Sequence, residues 1–96
     1  MKKEQLPKAR IFVCVNEKPA PKESCLAGEG EKCVTWLLDE LRARGKSTEI
    51  WVSRTKCQSY CSTKGTVVTF EPTHDQYSEV VVEDLKPLLD SFLKKL

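Results

Sequence analysis

The chain has 96 residues, of which 16 are basic and 14 are acidic, and its net charge of +2 argues against the strongly basic surface of a nucleic-acid-binding domain. This length predicts a single domain over residues 1–96, with residues 1–8 as a flexible N-terminal tail. No apolar run approaches the roughly 20 residues of a membrane span, and IFVCV is too short for the core of a signal peptide, so we expect a cytoplasmic protein.

The first half of the chain predicts a β-α-β unit. Residues 10–15, RIFVCV, are mostly β-branched or aromatic, which predicts a strand covered on both faces. Residues 31–44 have the apolar spacing of an amphipathic helix, and Gly45 follows in the position that ends many helices. The apolar face of this helix consists of Val34, Leu37, Leu38 and Leu41. Residues 50–52, Ile-Trp-Val, predict a second strand.

The second half predicts a hairpin followed by a helix. Residues 66–70, TVVTF, predict a third strand, and residues 77–81 predict a fourth that returns after a turn. In the C-terminal helix, an N-cap at Asp84 would put Pro87 at the third helical position, where no backbone hydrogen bond is lost. An earlier start would remove one hydrogen bond and bend the helix. The apolar face of this helix consists of Leu85, Leu88, Leu89, Phe92, Leu93 and Leu96.

The predicted order of elements is therefore β-α-β-β-β-α. A right-handed crossover makes the first two strands parallel, and the hairpin adds two antiparallel strands. We predict a thioredoxin-like α/β (α+β) fold, with a four-stranded mixed sheet and two helices.

Four of the five cysteines fall into two pairs. Ten residues separate Cys14 from Cys25, and three separate Cys57 from Cys61. Cys14 is near the end of the first predicted strand and Cys25 is in the loop before the first helix, whereas the second pair is in the loop after the second strand. Because neighbouring parallel strands end at the same edge of a sheet, we expect all four thiols to meet there. Clustered thiols in a reducing compartment indicate metal binding or redox chemistry more than structural disulfides.

Three kinds of site are compatible with four such thiols. Soft thiolate ligands suit an iron–sulfur cluster. A structural zinc site would more often use C-x2-C knuckles, which are absent here. A thiol–disulfide redox protein of thioredoxin-like fold would normally carry C-x-x-C at a strand–helix junction, and that motif is also absent.

The sequence resembles a known family in five stretches: IFVCVN, ESCLAGEG, CQSYC, GTVVTFEP and VVVEDLKPLL. These stretches are similar to those of the thioredoxin-like [2Fe-2S] ferredoxins of bacteria, over residues 9–93. The resemblance implies a one-electron carrier, not an enzyme, that shuttles electrons between a reductase and an oxidoreductase. It implies a [2Fe-2S] cluster bound by Cys14, Cys25, Cys57 and Cys61, and it implies a homodimer.

The chain departs from the family pattern around the second cysteine pair. Positions at which the family often has glycine hold Lys56, Gln58, Ser59 and Tyr60, and a frequent proline is replaced by Thr66. These substitutions alter the loop that carries the ligands more than the identity of the ligands.

Basic residues cluster in or beside the two cysteine-bearing loops. They are Lys18, Lys22, Arg54, Lys56 and Lys64. Reduction adds one negative charge to a cluster, so nearby positive charge favours it, and the positive end of the first helix acts in the same direction. We therefore expect a raised reduction potential and redox partners with an acidic docking face.

Other reactive or aromatic side chains are interpreted as structural. Cys33 is predicted to be a buried thiol on the first helix, outside the site, and His74 a solvated turn residue. Trp36 and Trp51 are interpreted as packing residues, with the alternative that one of them borders a partner or dimer interface. Residues 28–30, Gly-Glu-Gly, lack the remaining residues of a phosphate-binding motif and predict the start of a helix.

Overall fold

The computed structural model describes residues 1–3, 6–15, 29–55 and 65–96. Cys25, Cys57 and Cys61 lie outside these ranges. The described elements follow the predicted order, and their bounds are β1 (Ala9–Cys14), α1 (Glu29–Ala43), β2 (Ile50–Thr55), β3 (Thr66–Glu71), β4 (Asp75–Val80) and α2 (Val82–Lys95).

The four strands form one mixed sheet in the order β2-β1-β3-β4. Strands β1 and β2 are parallel, with Ala9 opposite Ile50 and Cys14 opposite Thr55. Strand β3 runs antiparallel to β1 and to β4. This topology confirms the predicted fold class, including the parallel first pair and the antiparallel hairpin.

Both helices pack on the same face of the sheet. Side chains that alternate along β1 meet the apolar faces of α1 and α2 in one core, as expected for a half-buried strand. In this core the ring of Phe92 on α2 lies 4.9 Å from that of Phe70 on β3. The fully buried large side chains of the core include Ile11, Val13, Val34, Leu37, Leu41, Val68, Phe70, Leu85 and Leu89.

The opposite face of the sheet corrects the prediction that β1 is covered on both sides. In the described part of the chain, no helix covers this face. Phe12 is half-buried there, and the guanidinium of Arg10 lies 5.4 Å above the ring of Trp51, whose exposed fraction is 44%. The apolar run in β1 therefore reflects a central strand with one deeply buried face.

Helix α1 begins two residues before its predicted start and ends one residue before its predicted end, with Gly45 in the predicted terminating position. Gly45 has a positive φ of 70°, its N–H bonds to the carbonyl of Arg42, and the N–H of Lys46 bonds to the carbonyl of Leu41. This pair of bonds is the Schellman motif, which ends a helix at a residue of left-handed conformation. Leu38 lies at the margin of the apolar face and is 38% exposed.

Helix α2 begins at Val82, so the alternative with Asp84 as N-cap is wrong. The Asp84 carboxylate instead accepts a hydrogen bond of 3.1 Å from the N–H of Val81, the residue before the helix. Pro87 is consequently inside the helix, where it offers no N–H to the carbonyl of Glu83. Among the helices of the described residues, none is long and apolar enough to span a membrane.

Candidate functional site

One end of the sheet, which we call the cysteine end, is where β1 and β2 finish and β3 begins. Cys14 and Thr55 are the last residues of their strands and lie opposite each other. Because β3 is antiparallel to β1, its first residue, Thr66, lies at the same end. Both segments that carry the other predicted ligands, residues 16–28 and 56–64, are therefore attached to the described fold at this end.

A single peptide group, between Cys14 and Val15, links the three strands at the cysteine end. Its carbonyl oxygen, on Cys14, accepts a hydrogen bond of 2.5 Å from the Oγ1 of Thr66. Its N–H, on Val15, donates a hydrogen bond of 2.8 Å to the carbonyl of Thr55. The exposed fractions of Cys14 and Thr66 are 1% and 0%, so the bond between them is shielded from water.

Gly30 allows α1 to begin directly against this peptide group. A Cβ at Gly30 would overlap the carbonyl oxygen of Cys14 and lie 3.1 Å from the Cα of Val15. A side chain is excluded by backbone atoms, which cannot rotate away as a side chain can. The start of α1 thus contacts the end of β1, and residues 16–28 leave and rejoin the described fold at neighbouring points.

Gly65 likewise allows close backbone contact at the point where residues 56–64 rejoin the described fold. A Cβ there would lie 2.6 Å from the carbonyl carbon of Glu79 and 2.6 Å from the carbonyl oxygen of Val80. Glu79 has a positive φ of 56°, and the pairing of β3 with β4 is irregular between Thr66 and Val68. The chain therefore re-enters the sheet at a point of close backbone contact.

Glu29 joins the N-termini of the two helices. Its exposed fraction is 8%, and its Oε1 accepts a hydrogen bond of 2.9 Å from the N–H of Val82, the first residue of α2. The first N–H groups of a helix have no partner within it, so this contact satisfies one of them. A carboxylate also suits the positive end of a helix dipole, and here one carboxylate lies at two such ends.

Arg54 is the described member of the predicted basic cluster. Its Nε lies 3.0 and 3.1 Å from the two carboxylate oxygens of Glu31, in the first turn of α1. Both side chains are about half exposed, and the pair links β2 to α1. Glu31 therefore offsets the positive charge of Arg54. The four lysines of the cluster lie outside the described residues.

The two described thiols occupy different environments. Cys14 packs with Val67 at the cysteine end, in a cluster separate from the main core. Cys33 is a free thiol inside the main core, fully buried on α1. Burial raises the pKa of the Cys33 thiol to about 12, and the carboxylates of Glu29, Asp84 and Glu83 act in the same direction. A thiol that stays protonated is a poor ligand, which agrees with the exclusion of Cys33 from the predicted site.

The predicted set of four ligands is described at one position, Cys14. Among residues 1–3, 6–15, 29–55 and 65–96, no group of three or more metal-binding side chains comes together. The ligand set therefore stays a prediction. His74 lies in the turn between β3 and β4, away from the cysteine end, with its Nδ1 2.7 Å from the Oε1 of Glu71.

Three residues of the cysteine end were not singled out by sequence reasoning for the contacts they make: Gly30, Glu29 and Thr66. Gly30 and Glu29 belong to the Gly-Glu-Gly stretch that was interpreted only as the start of a helix, and that interpretation holds for both residues. Thr66 was noted because it replaces a frequent proline. Each residue stood out in the sequence, but the group that it contacts lies far away in sequence or in a neighbouring element, so the contact itself could not be inferred.

Comparison with known proteins identifies the fold. No protein-family model matches the chain, and no curated protein matches its sequence. Solved structures of the thioredoxin-like fold do match, over most of their length and of this chain. Their structural similarity shows a shared fold, and their low sequence identity limits the conclusion to the fold.

The matching structures are of a thioredoxin-like [2Fe-2S] ferredoxin from Aquifex aeolicus. The wild-type ferredoxin has a TM-score of 0.78 and 23% identity, with 93% of this chain and 88% of that chain covered. A further structure of the ferredoxin has a TM-score of 0.80 and 22% identity, with coverages of 94% and 84%. A variant with one cysteine replaced by serine has a TM-score of 0.77 and 23% identity, with coverages of 91% and 88%.

Proposed function

We propose that this protein is a one-electron carrier that binds a [2Fe-2S] cluster through Cys14, Cys25, Cys57 and Cys61. One observation carries the proposal: both segments that bear the other three cysteines are attached to the sheet around Cys14, at the cysteine end. The fold shared with thioredoxin-like [2Fe-2S] ferredoxins supports it.

Covalent reach supports the same ligand set. Cys57 follows Thr55 by two residues, and two residues span at most about 7 Å. Cys25 precedes Glu29 by four residues and Cys61 precedes Gly65 by four, which limits each to about 14 Å from its attachment residue. This reach is compatible with all three thiols meeting Cys14 at the cysteine end.

The donor chemistry also fits. Four thiolates are the ligands of a [2Fe-2S] cluster, which supplies reversible one-electron chemistry when it is bound. The chain contributes a thiol on Cys14 whose backbone is fixed to two neighbouring strands. It also contributes the positive end of α1, which begins against the Cys14 carbonyl and whose attraction for added negative charge is partly offset by the carboxylates of Glu29 and Glu31 in its first turn.

The proposed partners are redox proteins: a reductase that donates the electron and an oxidoreductase that accepts it. Because Glu31 offsets Arg54, the attraction to an acidic docking face would come from Lys18, Lys22, Lys56 and Lys64. The carrier would act in the cytoplasm, where thiols stay reduced, and would perform no substrate chemistry of its own.

We also propose a homodimer, as implied by the family that the sequence resembles. Apolar side chains beside β2 support a surface for association. Trp51 and Leu38, 44% and 38% exposed, line one shallow cavity there. Sedimentation at several protein concentrations distinguishes a dimer from a monomer.

The test of the cluster is anaerobic purification followed by iron, sulfide and zinc analysis and visible absorption. We expect a red-brown protein with two irons and two sulfides per chain that takes up one electron. Replacing any one of Cys14, Cys25, Cys57 or Cys61 by alanine should remove most of the iron. Cys33→Ala is the matched control and should retain it. A colourless protein with stoichiometric zinc, or with titratable free thiols and no metal, would contradict the proposal.

A further inference from the structure

We infer that Thr66 is a positioning residue for Cys14, because its hydroxyl fixes the Cys14–Val15 peptide group, which directly follows the Cα that carries the proposed ligand. This inference rests on the proposed function. It concerns a position at which the sequence departs from the family it resembles, since a frequent proline is replaced here by a residue with a hydroxyl group.

The hydroxyl acts where backbone pairing between β1 and β3 stops. The last partners in that pairing are Val13 and Val68. Cys14 is the next residue of β1, and its carbonyl accepts a hydrogen bond of 2.5 Å from the Thr66 side chain. Both residues are buried, so water does not compete for this bond. The threonine side chain thereby extends the connection between the strands by one residue, up to the proposed ligand.

The same peptide group is fixed from its other side by β2. The Val15 N–H donates to the Thr55 carbonyl at 2.8 Å. A rotation of the peptide plane would weaken this bond and the bond from Thr66 together. The orientation of the plane sets the ψ angle of Cys14, and through it the direction of the Cys14 side chain relative to the sheet.

The two contacts also join Cys14 to the segment that carries Cys57 and Cys61. That segment leaves the described fold after Thr55 and returns to it just before Thr66. Its two attachment points are thus both bonded to the peptide that follows Cys14. The Thr55 hydroxyl makes a longer contact, 3.4 Å, to the Val13 carbonyl, so the short buried bond belongs to Thr66. The ends of β1 and β2 and the beginning of β3 are therefore tied together through this one peptide group.

The test compares Thr66→Val, which keeps the shape and loses the hydroxyl, with Thr66→Ser, which keeps the hydroxyl. Ile50→Val is the control, because it trims a buried side chain at the far end of the sheet. Three readouts are used, of which the first two are the rate at which a chelator removes iron from the loaded protein and hydrogen exchange of the Val15 amide in the metal-free protein. The electron paramagnetic resonance spectrum of the reduced protein is recorded alongside.

We expect Thr66→Val to lose iron roughly tenfold faster than the wild type, a typical effect of removing a group that orients a metal ligand. Its spectrum should shift and its Val15 amide should exchange faster, whereas Thr66→Ser and Ile50→Val should match the wild type in all three. If Thr66→Val does not fold, Thr66→Ala, which also lacks the hydroxyl, replaces it.

The possible failures are distinguishable. If the hydroxyl-lacking variant and Ile50→Val release iron at the same rate and give the same spectrum, Thr66 is only structural and the inference is overturned. Unchanged Val15 exchange in that variant overturns it as well. A wild-type protein that takes up no iron overturns the proposed function instead, and the inference about a ligand with it, while faster Val15 exchange would still establish the contact between Thr66 and the peptide.

Discussion

The two ends of the sheet are built from different kinds of polar contact. At the cysteine end, the bond from Thr66 to Cys14 is buried and the bond from Val82 to Glu29 is part-buried, and they join residues 52 and 53 positions apart. At the opposite end, which we call the hairpin end, Glu71 contacts His74 three residues along the chain, and the His74 side chain is 87% exposed. The cysteine end is closed by a buried and a part-buried bond, whereas the contacts of the hairpin end are exposed, whether local as in Glu71–His74 or between distant residues as in Lys95–Asp75.

This difference has an energetic meaning. Loss of one partner in a buried hydrogen bond leaves the other unsatisfied, which costs about 1–3 kcal/mol. An exposed ion pair contributes about 0–1 kcal/mol, because water and salt replace it readily. Substitutions at the cysteine end should therefore lower the free energy of unfolding far more than substitutions at the hairpin end, although the strands are the same.

The largest effect is expected for Gly30→Ala. The added Cβ would overlap the carbonyl of Cys14 and force α1 away from β1, so we expect a loss of about 3 kcal/mol in the free energy of unfolding. Helix propensity alone predicts the opposite, a gain of about 1 kcal/mol. Urea denaturation measures the difference.

Gly45→Ala is the matched control for this substitution. Gly45 has open space around it, and its φ of 70° makes alanine cost about 1–2 kcal/mol from backbone conformation alone. If both alanine variants lose the same stability, close contact at Gly30 is not what sets the cost. If Gly30→Ala is more stable than the wild type, the close approach of α1 to β1 is contradicted.

An intermediate effect on the free energy of unfolding is expected from ionisation of the Cys33 thiol at alkaline pH. The folded state raises the pKa of this thiol from its ordinary 9.0 to about 12, so the folded protein retains a proton that the unfolded chain releases above pH 9. The full contribution of this thiol to the free energy of unfolding is therefore present below pH 9. It is lost as the pH rises from 9 towards 12, by about 1.4 kcal/mol per pH unit.

The measurement is urea denaturation of the wild type and Cys33→Ala at pH 8, 9, 10 and 11. Alanine cannot ionise, so the variant should lack the loss of stability that is due to the thiol. The free energies of unfolding of the two proteins, plotted against pH, should therefore converge as the pH rises. Other groups titrate in both proteins and cancel in the difference. Parallel curves would mean that Cys33 ionises as easily in the folded protein as in the unfolded chain.

The smallest effect is expected for Glu71→Gln at the hairpin end. This substitution weakens an exposed contact to His74 and should change the free energy of unfolding by no more than about 0.5 kcal/mol. Urea denaturation with and without added salt is the measurement. A loss comparable to that of Gly30→Ala would remove the contrast between the two ends.

Local patterns in the sequence predicted most of the fold. The spacing of Val34, Leu37 and Leu41 predicted α1, and Gly45 predicted its end, because both signals depend on residues within one or two turns. Strand β2 is longer than predicted: Ser53 and Arg54 are polar, and pairing with β1 rather than their own pattern makes them part of the strand. The sequence left two starts open for α2, and the earlier one is correct; the first N–H of the helix is satisfied by Glu29, from a distant element.

The sequence predicted the end of the sheet at which Cys14 lies, but not the contacts around it. The parallel order of β1 and β2 puts Cys14 and Thr55 at a common end, as the sequence implied. The contact of Thr66 with the Cys14 carbonyl was not predictable, because it depends on how β3 meets β1 at the limit of their pairing. The positions of Cys25, Cys57 and Cys61 stay predictions.

The bond between Glu29 and Val82 has a consequence for biosynthesis. All five cysteines precede residue 82, so every thiol has been translated before the partner that secures the beginning of α1 exists. At about 5–20 residues per second, the interval between Cys61 and Val82 is on the order of one to four seconds. The contact between Glu29 and the start of α2 therefore forms only after all five thiols have been synthesised, so the architecture around Cys14 is completed late in the synthesis of the chain.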